Sequence, residues 1–342
     1  MKKTFTYFLC VVLLFSLCSC SVSDKKTTTA AESTASQPSA ASQSETKQTT
    51  KRKTGTFAPA LEAVPDEYVK PLENTLPTVE ISYTHKDHTK HAVVYLPPDY
   101  DESERYNIVY LLAGRSADHT AFFNEAGSPA VLKNIFDHMI ANKEIEPFIA
   151  VNLAFYPDKN TNLENSSVKE LLDDFNEELR TVIIPSVESK FSTYADGVSA
   201  KAIAKSREHR AFAGFSLGGG VCWNTLANDL DYFRYFAPMA AGSLDDYLSN
   251  GGVAAVLERN MQALGYSEHD FFVFATEGTN DVTYKKMQKL IKKFKKKYPH
   301  LFIFTDSDTS EGNITYKMKQ GGEHRYKYAY EYIYNSLRAF WE

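Results

Sequence analysis

Cysteine is scarce in this chain of 342 residues, which contains only four. Three of them, Cys10, Cys18 and Cys20, fall within the first 20 residues, so the rest of the chain has Cys222 alone. A single cysteine forms no disulfide within its own domain, and the folded part must therefore be held together by its hydrophobic core. Cys222 lies in a predicted helix, and we interpret it as a small core residue.

The chain also lacks an apolar run long enough to cross a bilayer. Positions 8–17 are apolar and follow two lysines, which is typical of an export signal over residues 1–20. The end of this segment, "LCSC" at 17–20, resembles a bacterial lipobox, in which the last cysteine is lipidated and becomes the mature N-terminus. We therefore expect a lipid anchor on Cys20. Plain secretion is the alternative, because Cys18 is unusual at its place in that pattern.

Large apolar residues are almost missing between residues 21 and 55, where serine, threonine, alanine, glutamine and lysine dominate. Such a segment buries too little surface to offset the entropy lost on ordering, so it predicts a disordered tether. Residues 56–342 are rich in phenylalanine and tyrosine and predict a single domain. The formal net charge is only −5, which gives no indication of a nucleic-acid partner.

Short apolar, β-branched runs recur along residues 56–342 and predict strands. They are Val79–Tyr83, His91–Leu96, Asn107–Ala113, Phe148–Ala154, Arg210–Gly214, Tyr235–Ala241, Phe271–Thr276 and Leu301–Thr305.

Helical patterns alternate with the later strands. Ser128 and Pro129 provide an N-cap and a first-turn proline for one helix. Ser167 and Glu170 form a capping box that predicts the start of another. This alternation predicts an α/β fold, with a mostly parallel central sheet covered by helices on both faces and an antiparallel pair at its N-terminal edge. Functional sites in such folds lie at the carboxyl ends of the strands.

The stretch "RAFAGFSLGGGVCW" places four glycines around Ser216, between a predicted strand and a predicted helix. Its pattern Gly214-x-Ser216-x-Gly218 is typical of a nucleophile elbow, where small neighbours let strand and helix approach closely while the serine is held in a strained turn. The same turn directs the backbone N–H of Leu217 toward a developing oxyanion. The alternative is a tight glycine-rich turn with an incidental serine.

A serine nucleophile requires a histidine as base and a carboxylate to orient it, and both follow the serine in this fold. Of the histidines after Ser216, we favour His324, which lies past the last predicted strand, over His269 and His300, which precede strands. Asp281 is the favoured acid because it lies just past the end of a strand. A simpler interpretation is that it is the N-cap of the following helix, and one residue can fill both roles. The other candidate acids are Asp306 and Asp308.

These motifs resemble the esterase D-like, feruloyl-esterase-type family (carbohydrate esterase family 1) of the α/β hydrolases. The resemblance covers nearly all of the chain after the tether, through "HAVVYLPPDYDESERYNIVYLLAG", "FNEELRTVIIPSVESKF", "EHRAFAGFSLGGG", "GTND" and "GGEH". It implies that the domain has the α/β-hydrolase fold and that Ser216, Asp281 and His324 form a catalytic triad. It also implies that no cofactor and no metal are needed.

One departure from the family concerns the loop after the third strand. Family members usually have His-Gly and further glycine there, whereas this chain has Ala113-Gly114-Arg115-Ser116. The resemblance implies that the backbone N–H of Arg115 is the second oxyanion donor. A displaced loop would weaken catalysis by about 10²–10³ for one lost donor. The Arg115 side chain is either a surface group or a ligand for a carboxylate or phosphate on the substrate.

Three further features have simple structural interpretations. The histidines of "HKDHTKH", at positions 85, 88 and 91, link two predicted strands, so a solvated hairpin is favoured over a metal site. The lysine-rich helix "YKKMQKLIKKFKKKYP" is amphipathic and is interpreted as a surface helix, with contact to an anionic cell envelope as the alternative. The loop "YPDKNTNLENSS" and the stretch from Gly242 to Gly265 follow strand ends and are predicted to form walls of the substrate pocket.

The sequence therefore predicts an extracytoplasmic serine esterase, lipid-anchored or secreted. Its membrane contact would be through the N-terminal anchor only. The family resemblance implies an ester-bearing polysaccharide or small ester as substrate, with feruloyl or acetyl esters on plant xylan as the first choice. The alternatives are an acyltransferase on the same fold and a catalytically weak lipoprotein that binds carbohydrate or the cell envelope.

Overall fold

The computed structural model describes residues 60–115, 117–125, 128–164, 166–247, 251–306 and 311–341. These described residues belong to one compact unit. The predicted export signal (1–20), its Cys20 and the tether (21–55) lie outside the described residues. Ser116 and Asp308 lie outside them as well. Within the described ranges, no helix is both long enough and apolar enough to span a membrane.

A single large sheet of eight strands runs through the described residues. Its strands in spatial order are β1 (Val79–His85), β2 (His88–Tyr95), β6 (Phe148–Leu153), β3 (Asn107–Leu112), β7 (Arg210–Phe215), β8 (Tyr235–Met239), β9 (Phe272–Gly278) and β10 (Ile314–Lys319). β1 and β2 are antiparallel, β2 is antiparallel to β6, and all later neighbours are parallel. Two-residue strands β4 (Asn124–Glu125) and β5 (Ser128–Pro129) pair separately.

Helices connect the parallel strands and cover both faces of the sheet, as the sequence predicts. They are α1 (Val131–Ala141), α2 (Val168–Glu178), α3 (Ile184–Glu188), α4 (Ala200–Lys205), α5 (Leu217–Asn228), α6 (Val253–Leu264), α7 (Tyr284–Lys297) and α8 (Tyr326–Leu337). The Ser167 hydroxyl caps α2 by accepting a hydrogen bond from the Glu170 N–H, which agrees with the predicted start of this helix. A π-helical turn, Leu179–Ile183, joins α2 to α3.

Two separate hydrophobic clusters fill the space between the sheet and its helices. One contains Phe175 of α2, Trp223 of α5 and Phe294 of α7. The other contains Phe136 of α1 and Ile333 of α8. Cys222 is fully buried in the first cluster, and its thiol donates to the Phe212 carbonyl oxygen at 3.4 Å, in agreement with its interpretation as a core residue. The sheet therefore presents its strand ends, rather than its faces, to solvent and substrate.

Two sequence-based assignments of elements are wrong. Ser128 and Pro129 form β5 rather than the start of α1, whose N-cap is Ala130. The segment Leu301–Thr305 forms no strand, apart from one bridge between Phe304 and Ile314. The last strand of the sheet is β10, which pairs with β9 in parallel.

The three neighbouring histidines lie on paired strands rather than in a loop, because β1 and β2 pair as far as His85 and His88. His85 is buried, and its Nε2 lies 3.0 Å from Asp174 Oδ1. His91 Nδ1 lies 3.1 Å from Glu80 Oε1. The histidines thus contact different carboxylates and do not converge on one point.

A buried ion pair anchors the amino end of β7, the strand that leads into the Ser216 turn. Arg210 donates from Nε to Glu188 Oε1 at 2.7 Å and from Nη2 to Glu188 Oε2 at 2.9 Å, and both side chains are almost completely buried. The Tyr110 and Thr193 hydroxyls also donate to Glu188. All the acceptor positions of this carboxylate are thus engaged, which is the condition for a charge to be tolerated in a core.

Removing one partner of this pair should be strongly destabilising. In Arg210→Met, Glu188 stays buried without its counter-ion, and we expect the free energy of unfolding to fall by about 3–5 kcal/mol. Urea titration followed by circular dichroism measures this loss. The double variant Arg210→Met/Glu188→Leu should lose less than the single variant. A double variant at least as unstable as Arg210→Met would show that the unpaired carboxylate is not the cause.

Candidate active site

Ser216 lies in a sharp turn between the carboxyl end of β7 and the first residue of α5. Its backbone has φ 58° and ψ −118°, a conformation that L-residues rarely adopt. Two contacts explain why its neighbours are glycines. A Cβ on Gly214 would lie 2.0 Å from the Gly218 carbonyl oxygen, and a Cβ on Gly218 would lie 2.0 Å from the Leu112 carbonyl oxygen. The glycines therefore let α5 pack directly on β7 and β3 while the serine projects from the turn.

Ser216, His324 and Asp281 come together at the carboxyl edge of the sheet. His324 Nε2 lies 2.7 Å from Ser216 Oγ, and His324 Nδ1 lies 2.8 Å and 2.9 Å from the two Asp281 carboxylate oxygens. An ionised carboxylate only accepts hydrogen bonds, so Nδ1 carries the proton and Nε2 is left to accept the proton of the serine hydroxyl. This is the geometry required of a base that activates a serine.

The His324 imidazole is held by a stacking contact on its ring face as well as by hydrogen bonds at its ring nitrogens. The Phe215 ring stacks on the His324 imidazole, with centroids 4.8 Å apart and planes 28° from parallel. The Tyr326 ring in turn lies 5.5 Å from Phe215. Phe215 follows directly from the elbow motif, but nothing in the sequence indicated that its ring would support the base.

The other candidate acids and bases lie elsewhere. His300 hydrogen-bonds to Glu258 at 2.8 Å, and His269 is largely exposed beside Glu268. Asp306 is 81% exposed and pairs with Lys317. The structure thus brings together the three residues that the sequence favours and places the described alternatives away from Ser216.

Asp281 is almost fully buried in the loop between β9 and α7. Burial alone would raise the pKa of its carboxyl, but hydrogen bonds from His324 and from the Thr283 N–H and hydroxyl outweigh this effect and lower it. Asp281 is not itself the N-cap of α7, because that position belongs to Thr283. Asp281 Oδ1 accepts the Thr283 N–H at 2.8 Å, so the carboxylate orders the approach to the helix while it faces His324.

The predicted oxyanion donors border the serine. Leu217 is the first residue of α5, whose N-terminus directs positive partial charge at the Ser216 turn. The loop after β3 passes close to Ser216, since a Cβ on Gly114 would lie 3.3 Å from Ser216 Cβ. Arg115 is the next residue in that loop. The roles of the Leu217 and Arg115 N–H groups stay predictions.

The Arg115 side chain points toward the surface rather than into the core. Its guanidinium is half-exposed, and Nη2 lies 3.5 Å from Glu164 Oε1. It also lies beside the half-buried Tyr156. Burial raises the pKa of the Tyr156 hydroxyl, and Arg115 opposes that rise. Both Tyr156 and Glu164 belong to the loop "YPDKNTNLENSS", so this predicted wall of the pocket does approach the β3 loop.

A groove of about 600 Å³ opens beside His324. Its lining is mostly aliphatic and aromatic and includes two basic residues; the lining residues are Val64, Val69, Val131, Ile135, His324, Arg325, Tyr326, Lys327 and Tyr330. None of them belongs to the two loops that the sequence singled out as pocket walls. Half of the stretch from Gly242 to Gly265 instead forms α6, which packs against α5.

One cluster in the described residues has the composition of a metal site. His85, Asp174 and Glu178 place ligand atoms within 4.8 Å of one another. Lysines already neutralise this cluster: Lys90 Nζ lies 2.6 Å from Glu178 Oε2, and Lys86 hydrogen-bonds to Asp174. The arrangement is therefore that of a charge-paired network rather than an open cation site.

Comparisons with known proteins identify the family of this chain. Residues 85–320 match the family model described as "Putative esterase". The chain belongs to this esterase family. This confirms the resemblance found in the sequence, and the sheet and helices confirm the α/β-hydrolase fold.

Three proteins with similar sequences or folds were compared with this esterase. Endo-1,4-beta-xylanase Y of Acetivibrio thermocellus is 36% identical over 280 residues, which are 81% of this chain and 24% of the xylanase. The esterase thus spans about a quarter of that protein. A mutant of the feruloyl esterase module from Clostridium thermocellum, complexed with sinapinate, is 33% identical with a TM-score of 0.74, covering 85% of this chain and 96% of the module.

The third relative shows the fold alone. The ferulic acid esterase of Anaeromyces mucronatus, solved in complex with ferulic acid, is 19% identical with a TM-score of 0.56. The alignment covers 81% of this chain and 95% of that one. The fold is thus retained at low sequence identity.

Replacing Asp281 tests whether this carboxylate orients the base. In Asp281→Asn, the amide no longer fixes the proton on His324 Nδ1, so we expect kcat for ester hydrolysis to fall roughly 10⁴-fold. Steady-state kinetics on a chromogenic ester measure the loss. Asp306→Asn is the matched control and should retain wild-type kcat, because Asp306 is exposed. A reversed result would assign the acid role to Asp306.

Proposed function

We propose that this esterase hydrolyses feruloyl or acetyl esters of plant xylan outside the cytoplasm, through an acyl-enzyme formed on Ser216. The observation that carries the proposal is the strained Ser216 turn with its hydroxyl 2.7 Å from His324 Nε2, in a chain that belongs to an esterase family. A serine hydroxyl becomes a strong nucleophile only when a base accepts its proton at the moment of attack.

The first half-reaction forms the acyl-enzyme. Ser216 Oγ attacks the ester carbonyl carbon and its proton passes to His324 Nε2, while Asp281 stabilises the imidazolium through Nδ1. The N–H groups of Leu217 and Arg115 hold the oxyanion of the tetrahedral intermediate. The C–O bond to the alcohol then breaks, and His324 donates its Nε2 proton to the departing oxygen.

The second half-reaction regenerates the serine. Water attacks the acyl carbon and gives one proton to His324 Nε2, and a second tetrahedral intermediate forms. This intermediate collapses as the proton returns to Ser216 Oγ, releasing the carboxylic acid. Besides the ester and water, the steps use side chains and backbone groups of this chain.

Two observations support an aromatic acyl group. The feruloyl esterase module that is 33% identical to this chain was solved with sinapinate, a hydroxycinnamate. In this chain, the groove beside His324 has Tyr326 and Tyr330 among aliphatic walls. Such walls suit a planar aromatic ring, because a contact between two aromatic rings contributes more binding free energy than the burial of their surface alone. The match to a xylanase supports xylan as the polymer that carries the ester.

The proposed location follows from the N-terminal sequence. An export signal over residues 1–20 and a lipidated Cys20 would hold the esterase on the outer side of the cell membrane through the tether at 21–55. An enzyme tethered in this way meets polysaccharides that do not enter the cell.

Hydrolysis of methyl ferulate tests the proposed reaction. The wild type should release ferulate, and Ser216→Ala should lose activity by a factor on the order of 10⁶, since removing the nucleophile disables the triad as a unit. Liquid chromatography of the products measures both, and 4-nitrophenyl acetate run in parallel reports on acetyl esters.

The outcomes separate the alternatives. Equal rates for wild type and Ser216→Ala would contradict the serine mechanism. Acetate release without ferulate release would favour acetyl esters. Transfer of the feruloyl group to an added alcohol, rather than to water, would favour an acyltransferase. No turnover of either ester by the wild type would favour a binding protein.

A further inference from the structure

A second buried carboxyl lies behind the triad. Glu277, the next-to-last residue of β9, is completely buried, and its carboxyl hydrogen-bonds to the Gly278 N–H and the Thr283 hydroxyl. The Thr283 hydroxyl lies between it and the triad, with Oγ1 2.7 Å from Asp281 Oδ1 and 3.0 Å from Glu277 Oε2. Thr283 occupies the N-cap position of α7, yet its hydroxyl does not cap the helix and faces the two acids instead.

The number of available donors limits where the protons lie among the Asp281, Thr283 and Glu277 oxygens. A threonine hydroxyl has one proton to donate. Asp281 accepts from His324 on both oxygens and from the Thr283 N–H, which is the environment of an ionised carboxylate. If Glu277 were ionised too, two carboxylate oxygens would compete for one hydroxyl proton, and one would face an oxygen lone pair at hydrogen-bond distance. A proton on Glu277 Oε2 removes this conflict.

We propose that Glu277 is a neutral carboxylic acid that donates its Oε2 proton to Thr283 Oγ1, so that the Thr283 hydroxyl must donate to Asp281 Oδ1. Glu277 is then a positioning residue: it fixes the Asp281 carboxylate toward His324 without touching the substrate. The positioning role rests on the proposed function, because it presumes that Asp281 serves His324 in ester hydrolysis.

The surroundings of Glu277 favour the neutral form. Its other oxygen, Oε1, accepts the Gly278 N–H at 2.9 Å. The titratable groups that face it are Asp281 in the β9–α7 loop, Tyr316 on β10 and Tyr332 on α8. Within the described residues, no lysine or arginine pairs with its carboxyl. Burial and the negative charge of Asp281 together raise the pKa of Glu277 to about 8.

The positioning role is tested by kinetics with conservative and disruptive substitutions. Glu277→Leu and Thr283→Val each break the chain, and we expect kcat/KM to fall roughly tenfold, as for loss of one hydrogen bond to a charged group. Glu277→Gln supplies an amide N–H in place of the acid proton and should recover most of that loss. Thr283→Ser keeps the hydroxyl and should do the same.

The pH profile distinguishes a proton on Glu277 from simple packing. Above about pH 8 the wild-type carboxyl ionises, the Thr283 hydroxyl is drawn from Asp281, and kcat/KM should decline. Glutamine does not titrate, so Glu277→Gln should lack this decline. A substitution that acted only through packing would lower kcat/KM at every pH and would keep the alkaline decline.

Stability gives a readout that does not depend on activity. The folded protein binds a proton at Glu277 that the unfolded chain releases at the ordinary glutamate pKa, so this group lowers stability as pH rises from about 5 to 8. The Tm of Glu277→Gln minus that of the wild type should therefore increase over this range and level off above it. Differential scanning calorimetry at several pH values measures the difference.

Each outcome decides the proposal. An increasing Tm difference, with rescue by Glu277→Gln and loss of the alkaline decline, supports it. A Tm difference that is flat with pH overturns the proton on Glu277, even if the enzyme is active. Full activity in Glu277→Leu and Thr283→Val overturns the positioning role. An inactive wild type overturns the proposed function and the positioning role with it, while the Tm difference still judges the proton.

Discussion

The close approach of α5 to β7 and β3 is the constraint on which the site depends. It is possible only because Gly214 and Gly218 have no Cβ, since either Cβ would overlap a backbone carbonyl group. The approach forces Ser216 into a backbone conformation with positive φ, and such strain persists only where the surrounding structure fixes it. The parallel sheet provides that support, because β7 is a central strand hydrogen-bonded on both sides.

Buried carboxyl groups reinforce β7 and β9, which lie on either side of β8, at opposite ends of the sheet. At the amino end of β7, the Arg210–Glu188 pair connects the strand to α3 with every acceptor engaged. At the carboxyl end of β9, Glu277 and Asp281 are both buried with a single hydroxyl between them. The first arrangement neutralises its charge with a counter-ion. In our account the second does so with a proton, which leaves one negative charge for His324.

The elbow and its partners could be predicted from sequence because their signals are local. Glycine spacing identifies Ser216, and the positions of His324 and Asp281 after strand ends follow from the order of elements. The failures were not local. Leu301–Thr305 has the composition of a strand, but Asn313 contacts this segment through both backbone and side chain, and β10 takes the place beside β9. β10 was not predicted as a strand because its lysines interrupt the apolar pattern.

The supporting residues could not be predicted because their roles depend on contacts between distant segments. The sequence patterns assign no role to Thr283 or Glu277, and Phe215 belongs to the elbow motif without a role of its own. Only the fold shows that the first two form a chain to Asp281 and that the third stacks on His324. The groove beside His324 is similar, since it joins segments near residues 64, 131 and 326.

The central claim is that Ser216 is an activated nucleophile. The most direct measurement is labelling by a fluorophosphonate, with intact-mass spectrometry and peptide mapping of the product. The account predicts a single adduct on Ser216 in the wild type and a strong reduction in labelling rate in His324→Ala, because the base is needed to remove the hydroxyl proton. No adduct on Ser216, or equal labelling without His324, would contradict it.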